Sequence, residues 1–190
     1  MGFLDLFSKK EEIRGTKVQV CGLSDRFDEL TKNDARVYRR FYIDTTVTRA
    51  KAATDLDAVL AKTPDVLHLA CDVTADGMLP LENGAALSGA DLLSKCTAAN
   101  VKLLWIASSN AADNYNKGFK PRGEKINLIM TLDRRGPGFT LFLDNLLTKV
   151  AAGESISVAW NELCPEGTKG VHPDAPDCII FSGRSGVRLR

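Results

Sequence analysis

A chain of 190 residues with 44% apolar and 26% charged residues has the composition of an ordinary globular domain and the length to bury a substantial core. Its 25 Lys and Arg against 24 Asp and Glu leave a net charge of +1, which gives no electrostatic argument for a nucleic-acid partner. No segment reaches the length of a membrane span, and five cysteines without CxxC spacing read as free thiols in a reducing, cytoplasmic compartment.

In chain order, Phe3, Leu4, Leu6 and Phe7 ahead of Lys9 and Lys10 form an apolar stripe on a two-turn helix. Such a stripe suits docking on a partner groove, on its own domain or, less well, on a membrane surface. Leu6 breaks the myristoylation pattern. Residues 1–15 are therefore read as a tail and linker, and 16–190 as one domain.

Thr16 to Leu23 reads as a first strand, and Val37 to Val47, rich in aromatic and β-branched residues, as an extended, partly exposed one. Thr54 and Asp55 cap a helix with Leu56, Val59 and Leu60 on one face, stopped by Pro64. Val66 to Cys71 is a buried strand. Asp76-Gly77 and Asn83-Gly84 mark the turns of a small hairpin. Ser88 and Asp91 open a helix over Ala90–Ala99, ahead of a strand over Val101–Ala107. Ala111 to Lys125 is polar and aperiodic, which predicts a long loop. Ile126 to Met130 is a fourth core strand. Phe139, Phe142, Leu143, Leu146, Leu147 and Val150 recur with helical spacing up to Gly153, and a further helix runs from Ser155 to Leu163. Cys178 to Phe181 is the last strand. This alternation predicts an α/β domain with a mainly parallel sheet and helices on both faces.

Open α/β sheets place their chemistry at the carboxyl ends of their strands. Two apolar runs end there in polar tips, one at Asp72 and one at Ser108-Ser109-Asn110. His68 and Cys71 are three apart on one strand, so their side chains face opposite ways, and His68 reads as a hydrogen-bonded core residue. Asp72 with Ser109 reads as a pair that binds a polar ligand or caps the sheet edge. Asp133-Arg134-Arg135-Gly136 follows the next strand at the same edge, where Arg134 or Arg135 would pair with Asp72 or recognise a partner's carboxylate. Cys164, His172 and Asp174 are too loosely spaced for a metal site and read as a surface loop. Neither GxxxxGK[ST] nor GxGxxG is present, so no cofactor is expected.

Five pieces stand in a set order: His68-Leu69-Ala70-Cys71, Leu79-Pro80-Leu81-Glu82-Asn83-Gly84, Leu87-Ser88-Gly89-Ala90-Asp91-Leu92, Gly153-Glu154-Ser155 with Ala159, and Ile180-Phe181-Ser182-Gly183. Together they resemble a CHAT domain, one of the caspase-like, separase-related cysteine peptidases, from about Asp65 to Gly183. The resemblance implies a three-layer caspase-like domain with a mainly parallel sheet. It also implies that the catalytic His position is held here by Asp72, with Val73 in place of the following Gly, and the nucleophilic Cys position by Ser109. The family's chemistry needs a thiolate and an imidazole within hydrogen-bond reach. A carboxylate only accepts, and a serine hydroxyl without an imidazole is a poor nucleophile.

The expectation is a catalytically inactive relative that binds or regulates a protein or peptide partner. Asp72, Ser109, Asn110, Arg134 and Arg135 would line its cleft, and Phe3 and Phe7 would form an added docking element. Two readings stand beside it. One is an active hydrolase rebuilt around Ser109, served by Asp72 or His172, or around a cysteine. The other is a self-assembling protein in which the exposed strand over Val37–Val47 pairs between copies.

Overall fold

A computed structural model describes residues 15–120, 126–134, 138–164, 174–182 and 189. Its centre is a six-stranded sheet in the order β2-β1-β3-β6-β7-β8. Those strands are β1 (Val18–Gly22), β2 (Thr45–Arg49), β3 (Val66–Ala70), β6 (Leu103–Ile106), β7 (Asn127–Thr131) and β8 (Cys178–Ser182). All neighbours run parallel except β8, which pairs antiparallel with β7. The hairpin of β4 (Met78–Pro80) and β5 (Ala86–Ser88) stands apart as a second small sheet.

Helices cover both faces, so the molecule has three layers. Helices α1 (Asp28–Tyr38), α5 (Phe139–Ala151) and α6 (Ile156–Leu163) pack on Val18, Val20, Val66, Leu103 and Trp105. The helices α2 (Ala53–Leu60), α3 (Gly89–Ala98) and α4 (Ala112–Gly118), with the hairpin, pack on Cys21, Leu67, Leu69, Leu104 and Ile106. Each central strand therefore contributes alternate residues to two separate cores, which is why β1, β3, β6 and β7 are buried throughout.

Local chemistry sets the helix starts. Ser88 Oγ accepts the Asp91 amide at 3.0 Å to begin α3, and Ser155 Oγ accepts the Val158 amide at 3.4 Å to begin α6. For α2 the capping group is the Asp55 carboxylate, which accepts the Lys51 and Ala52 amides at 2.9 and 3.0 Å; Thr54 plays no such part. Trp105 sits where β6 meets α5 and α6. Its ring is 5.8 Å from Phe139, 5.4 Å from Trp160 and 5.0 Å from His68, and its Nε1–H donates to Thr131 Oγ1 at 3.0 Å.

Two expectations fail, for one reason each. Val37 to Val47 is not a strand: α1 ends at Tyr38, and only Thr45–Arg49 is extended, at the sheet's edge. The buried residues of α1 are Thr31, Asp34, Ala35, Val37 and Tyr38, and the two polar ones break up its apolar stripe. The supposed loop over Ala111–Lys125 contains α4 (its residues 121–125 lie outside the described set). Tyr115 is the one buried residue of α4, and a single anchor has no period. Close backbone approach replaces side-chain packing there. Gly77 has φ +82°, and a Cβ on it would lie 2.8 Å from the carbonyl carbon of Lys117.

Among the described residues, no helix is long and apolar enough to cross a membrane. Replacing Trp105 by Ala should lower the free energy of unfolding by about 3–5 kcal/mol, measured by urea titration, because it empties the point where three elements meet.

Candidate functional site

The carboxyl ends of β1, β3, β6 and β7 converge on one side of the sheet. An open groove of about 490 Å³ lies there, lined among others by Arg26, Phe27 and Leu30 after β1, by Ser108 and Ser109 after β6, and by Arg134 after β7.

Its floor is a buried polar chain. Asp34 of α1 is fully buried and faces Arg134, whose Nη1 donates to Oδ2 at 2.8 Å and whose Nη2 donates to Oδ1 at 2.7 Å. Nη1 also reaches the Ala107 carbonyl at 3.2 Å, and the guanidinium carbon lies 3.8 Å from the centre of the Phe139 ring. Asp34 Oδ2 is 2.8 Å from His68 Nε2, and His68 Nδ1 is 3.1 Å from the Tyr38 hydroxyl. An ionised Asp34 only accepts, so Nε2 carries the imidazole proton and Nδ1 accepts from Tyr38.

The surroundings of each group agree with that assignment. Burial pushes the Asp34 carboxyl up, but the His68 and Arg134 bonds outweigh it and hold it below its ordinary 3.8. Burial holds His68 below its ordinary 6.5 despite the Asp34 bond. The trio is thus carboxylate, neutral imidazole and guanidinium, with no net charge. A hydroxyl, imidazole and carboxylate in a row have the connectivity of a hydrolytic triad. Here Tyr38, His68 and Asp34 are 1%, 0% and 0% exposed, and burial drives the Tyr38 phenol well above 10. No substrate reaches them, and the chain acts as a clamp.

Asp72 is not Arg134's partner. It forms an ion pair with Arg26 at the rim, where the two side chains are 39% and 59% exposed. Arg134 is drawn under the sheet edge, where a buried carboxylate requires its charge far more than a solvated one does. Ser109 Oγ accepts the Arg134 amide at 2.6 Å. Asp72 and Ser109 therefore occupy neighbouring strand ends, each engaged by a different arginine.

The neighbouring polar groups splint the strand ends. Ser108 Oγ accepts the Cys71 amide at 2.9 Å and donates to the Cys71 carbonyl. Asn110 Oδ1 accepts the Val73 amide at 2.7 Å, and its Nδ2 donates to the Cys71 carbonyl at 3.1 Å and to the Tyr115 hydroxyl at 2.9 Å. Asn114 Nδ2 donates to the Val73 carbonyl at 2.7 Å. Main-chain groups on both sides of Asp72 are thus held while its carboxylate stays at the surface. Asn110 is part of that splint, with its amide turned to Cys71, Val73 and Tyr115.

Cys71 is fully buried, and burial drives its thiol far above 9.0, so it is inert as a nucleophile. Arg135, Phe3, Phe7 and His172 lie outside the described residues. Among the described residues no group of three His, Cys, Asp or Glu is placed to hold a metal ion. Sequence reasoning missed Asp34 and Arg26. Asp34 was hidden because no element was assigned between Leu23 and Val37; Arg26 had a signal, since it follows the first strand at the same edge. No protein-family model matches this chain, and no curated protein matches it.

Two outcomes follow from the clamp. Arg134→Ala should cost about 3–5 kcal/mol, because it strands a buried carboxylate. The double variant Asp34→Asn/Arg134→Met should cost less than the single change, as read in a double-mutant cycle. His68 is held below 6.5 when folded, so its contribution is complete above that pH and is lost as the unfolded chain gains a proton below it. Stability measured by urea titration should fall from pH 7 to 5, and His68→Gln should flatten that slope.

Proposed function

We propose that this chain is a catalytically inactive relative of the CHAT peptidases that binds a protein or peptide partner in the groove at the sheet's carboxyl edge. One observation carries the reading. The two positions that the resemblance assigns to the dyad are Asp72 and Ser109, at the ends of β3 and β6, beside an open groove and engaged by Arg26 and the Arg134 amide rather than by an imidazole.

The order of elements supports the resemblance. After β3 come the hairpin, α3 and β6, then α4 and β7, a helix pair and a final strand, which apart from α4 is the sequence that the motifs imply. The single histidine among the described residues, His68, points its nitrogens at Asp34 and Tyr38 and is fully buried. A carboxylate is a weaker base than an imidazole, and among the described residues no imidazole stands beside the Ser109 hydroxyl to take its proton. What the edge keeps is a cleft with mixed walls: Phe27 and Leu30 apolar, Arg26, Arg134 and the serines polar. Such clefts orient ligands by a few polar groups on an apolar lining.

The partner role is regulatory in this reading, with Phe3 and Phe7 adding a second point of attachment. The spread of free cysteines fits a reducing, cytoplasmic setting.

The purified chain should hydrolyse no peptide or ester substrate. A fluorophosphonate should leave Ser109 unlabelled, and iodoacetamide should leave Cys71 unlabelled until the protein unfolds. Rapid native labelling at either residue sinks the inactive reading. In affinity capture, Leu30→Arg should abolish recovery of the wild-type partner by filling the groove, and Phe3→Asp/Phe7→Asp should weaken it. Full recovery by Leu30→Arg, with the fold intact, would place the partner elsewhere.

A further inference from the structure

A guanidinium offers five N–H donors in a rigid planar fork. Arg134 spends three of them inward: Nη1 gives one to Asp34 and one to the Ala107 carbonyl, and Nη2 gives one to Asp34. Nε–H and the second Nη2–H make up the other edge of the plane, and no described residue accepts from either. That edge has the spacing of a bidentate carboxylate contact.

The fork is fixed before any ligand arrives. Asp34 grips one edge, the Phe139 ring lies 3.8 Å from the guanidinium carbon, and the Arg134 amide is bonded to Ser109 Oγ. The side chain keeps 9% of its surface exposed, and it is one of the residues that line the groove. Ser109 supplies a further donor. Its oxygen accepts from Arg134, which leaves its O–H free to give, whereas Ser108 spends its O–H on Cys71.

Charge points the same way. Among the described residues, Arg26 and Arg134 are the charged side chains lining the groove, and none that lines it is acidic. Asp34 lies beneath with both oxygens occupied, and Asp72 stands at the rim on Arg26. Phe27 and Leu30 give the methylene groups of a ligand an apolar wall.

We propose that the groove takes a carboxylate, chelated by Nε–H and Nη2–H of Arg134 and bonded by the Ser109 hydroxyl, and that its source is an acidic side chain of a bound peptide. This rests on the groove being the partner site. It is a contact that the Asp34 clamp prepares: the buried carboxylate holds the fork, and the ligand meets its free edge.

The test is a titration of the ¹⁵N-labelled full chain with three probes: the capped pentapeptide Ac-Ala-Ala-Glu-Ala-Ala-NH2, its Gln counterpart, and glutarate. The readouts are the Arg134 Nε–H and Ser109 amide resonances. The Glu peptide should shift both, bind at least about tenfold tighter than the Gln peptide, and weaken as salt is added. Equal binding of the Glu and Gln peptides in the groove would overturn the carboxylate preference while leaving the groove a peptide site. Binding of glutarate as tight as that of the Glu peptide would overturn the peptide source and identify a small diacid. If no probe shifts either resonance, the groove reading falls along with this one.

Arg134→Lys keeps a cation for Asp34 and removes the fork, so it should fold and lose the Glu-over-Gln preference. Ser109→Ala, at an exposed position where water can replace the lost bond to the Arg134 amide, should weaken the Glu peptide several-fold with at most a small fall in melting temperature. Retention of full preference by both variants would overturn the assignment.

Discussion

A buried carboxylate is the constraint around which this molecule is arranged. Asp34 has no access to water, and ionised in that position it would cost several kcal/mol if it were alone. Three elements answer it. The β7–α5 connection sends Arg134, β3 sends His68, and α1 itself holds Tyr38 on the far side of the imidazole. Each of those groups serves a second purpose. Arg134 forms part of the groove, His68 packs on Trp105 at the centre of one core, and Tyr38 closes α1 against the sheet.

The groove inherits its shape from this arrangement. Its walls belong to segments that leave different strands, and none of them would hold position by local structure alone. Arg134 sits beyond the last hydrogen bond of β7, and Arg26 sits on a single turn of 3₁₀ helix. The clamp ties the first, while Ser108, Asn110 and Asn114 hold the backbone around Asp72. A partner of the kind proposed would therefore meet a surface that is largely set in advance, which limits the ordering cost of binding.

Much of this could be read from the sequence, and what could not has definite causes. Continuous apolar runs located β3, β6 and β7, and the i, i+3, i+4, i+7 pattern from Phe139 to Val150 located α5, because burial on both faces or on one stripe leaves a periodic mark. The strand ends at Asp72 and Ser109 were legible for the same reason. Two parts were opaque. α1 buries Thr31 and Asp34 among its apolar residues, which breaks up its stripe, and α4 buries a single residue, Tyr115. The pairing of Arg134 was opaque as a consequence: the stretch from Asp28 to Arg36 carried no assigned element, and the nearest visible acid was Asp72. Polar residues that satisfy one another in the interior carry no hydrophobic signature, and their partners are set by tertiary structure.

The pair of Asp34 and Arg134 spans 100 positions of sequence. On the ribosome, where a chain lengthens by about 5–20 residues per second, Asp34 would wait several seconds for its cation. Closing so long a loop is also entropically unfavourable until the intervening strands have stacked. Through that interval α1 carries a carboxylate on the face meant for the interior, and water is its only solvent. The final docking of α1 must therefore follow the emergence of β7 and its connection. The groove is then among the last features of the fold to form.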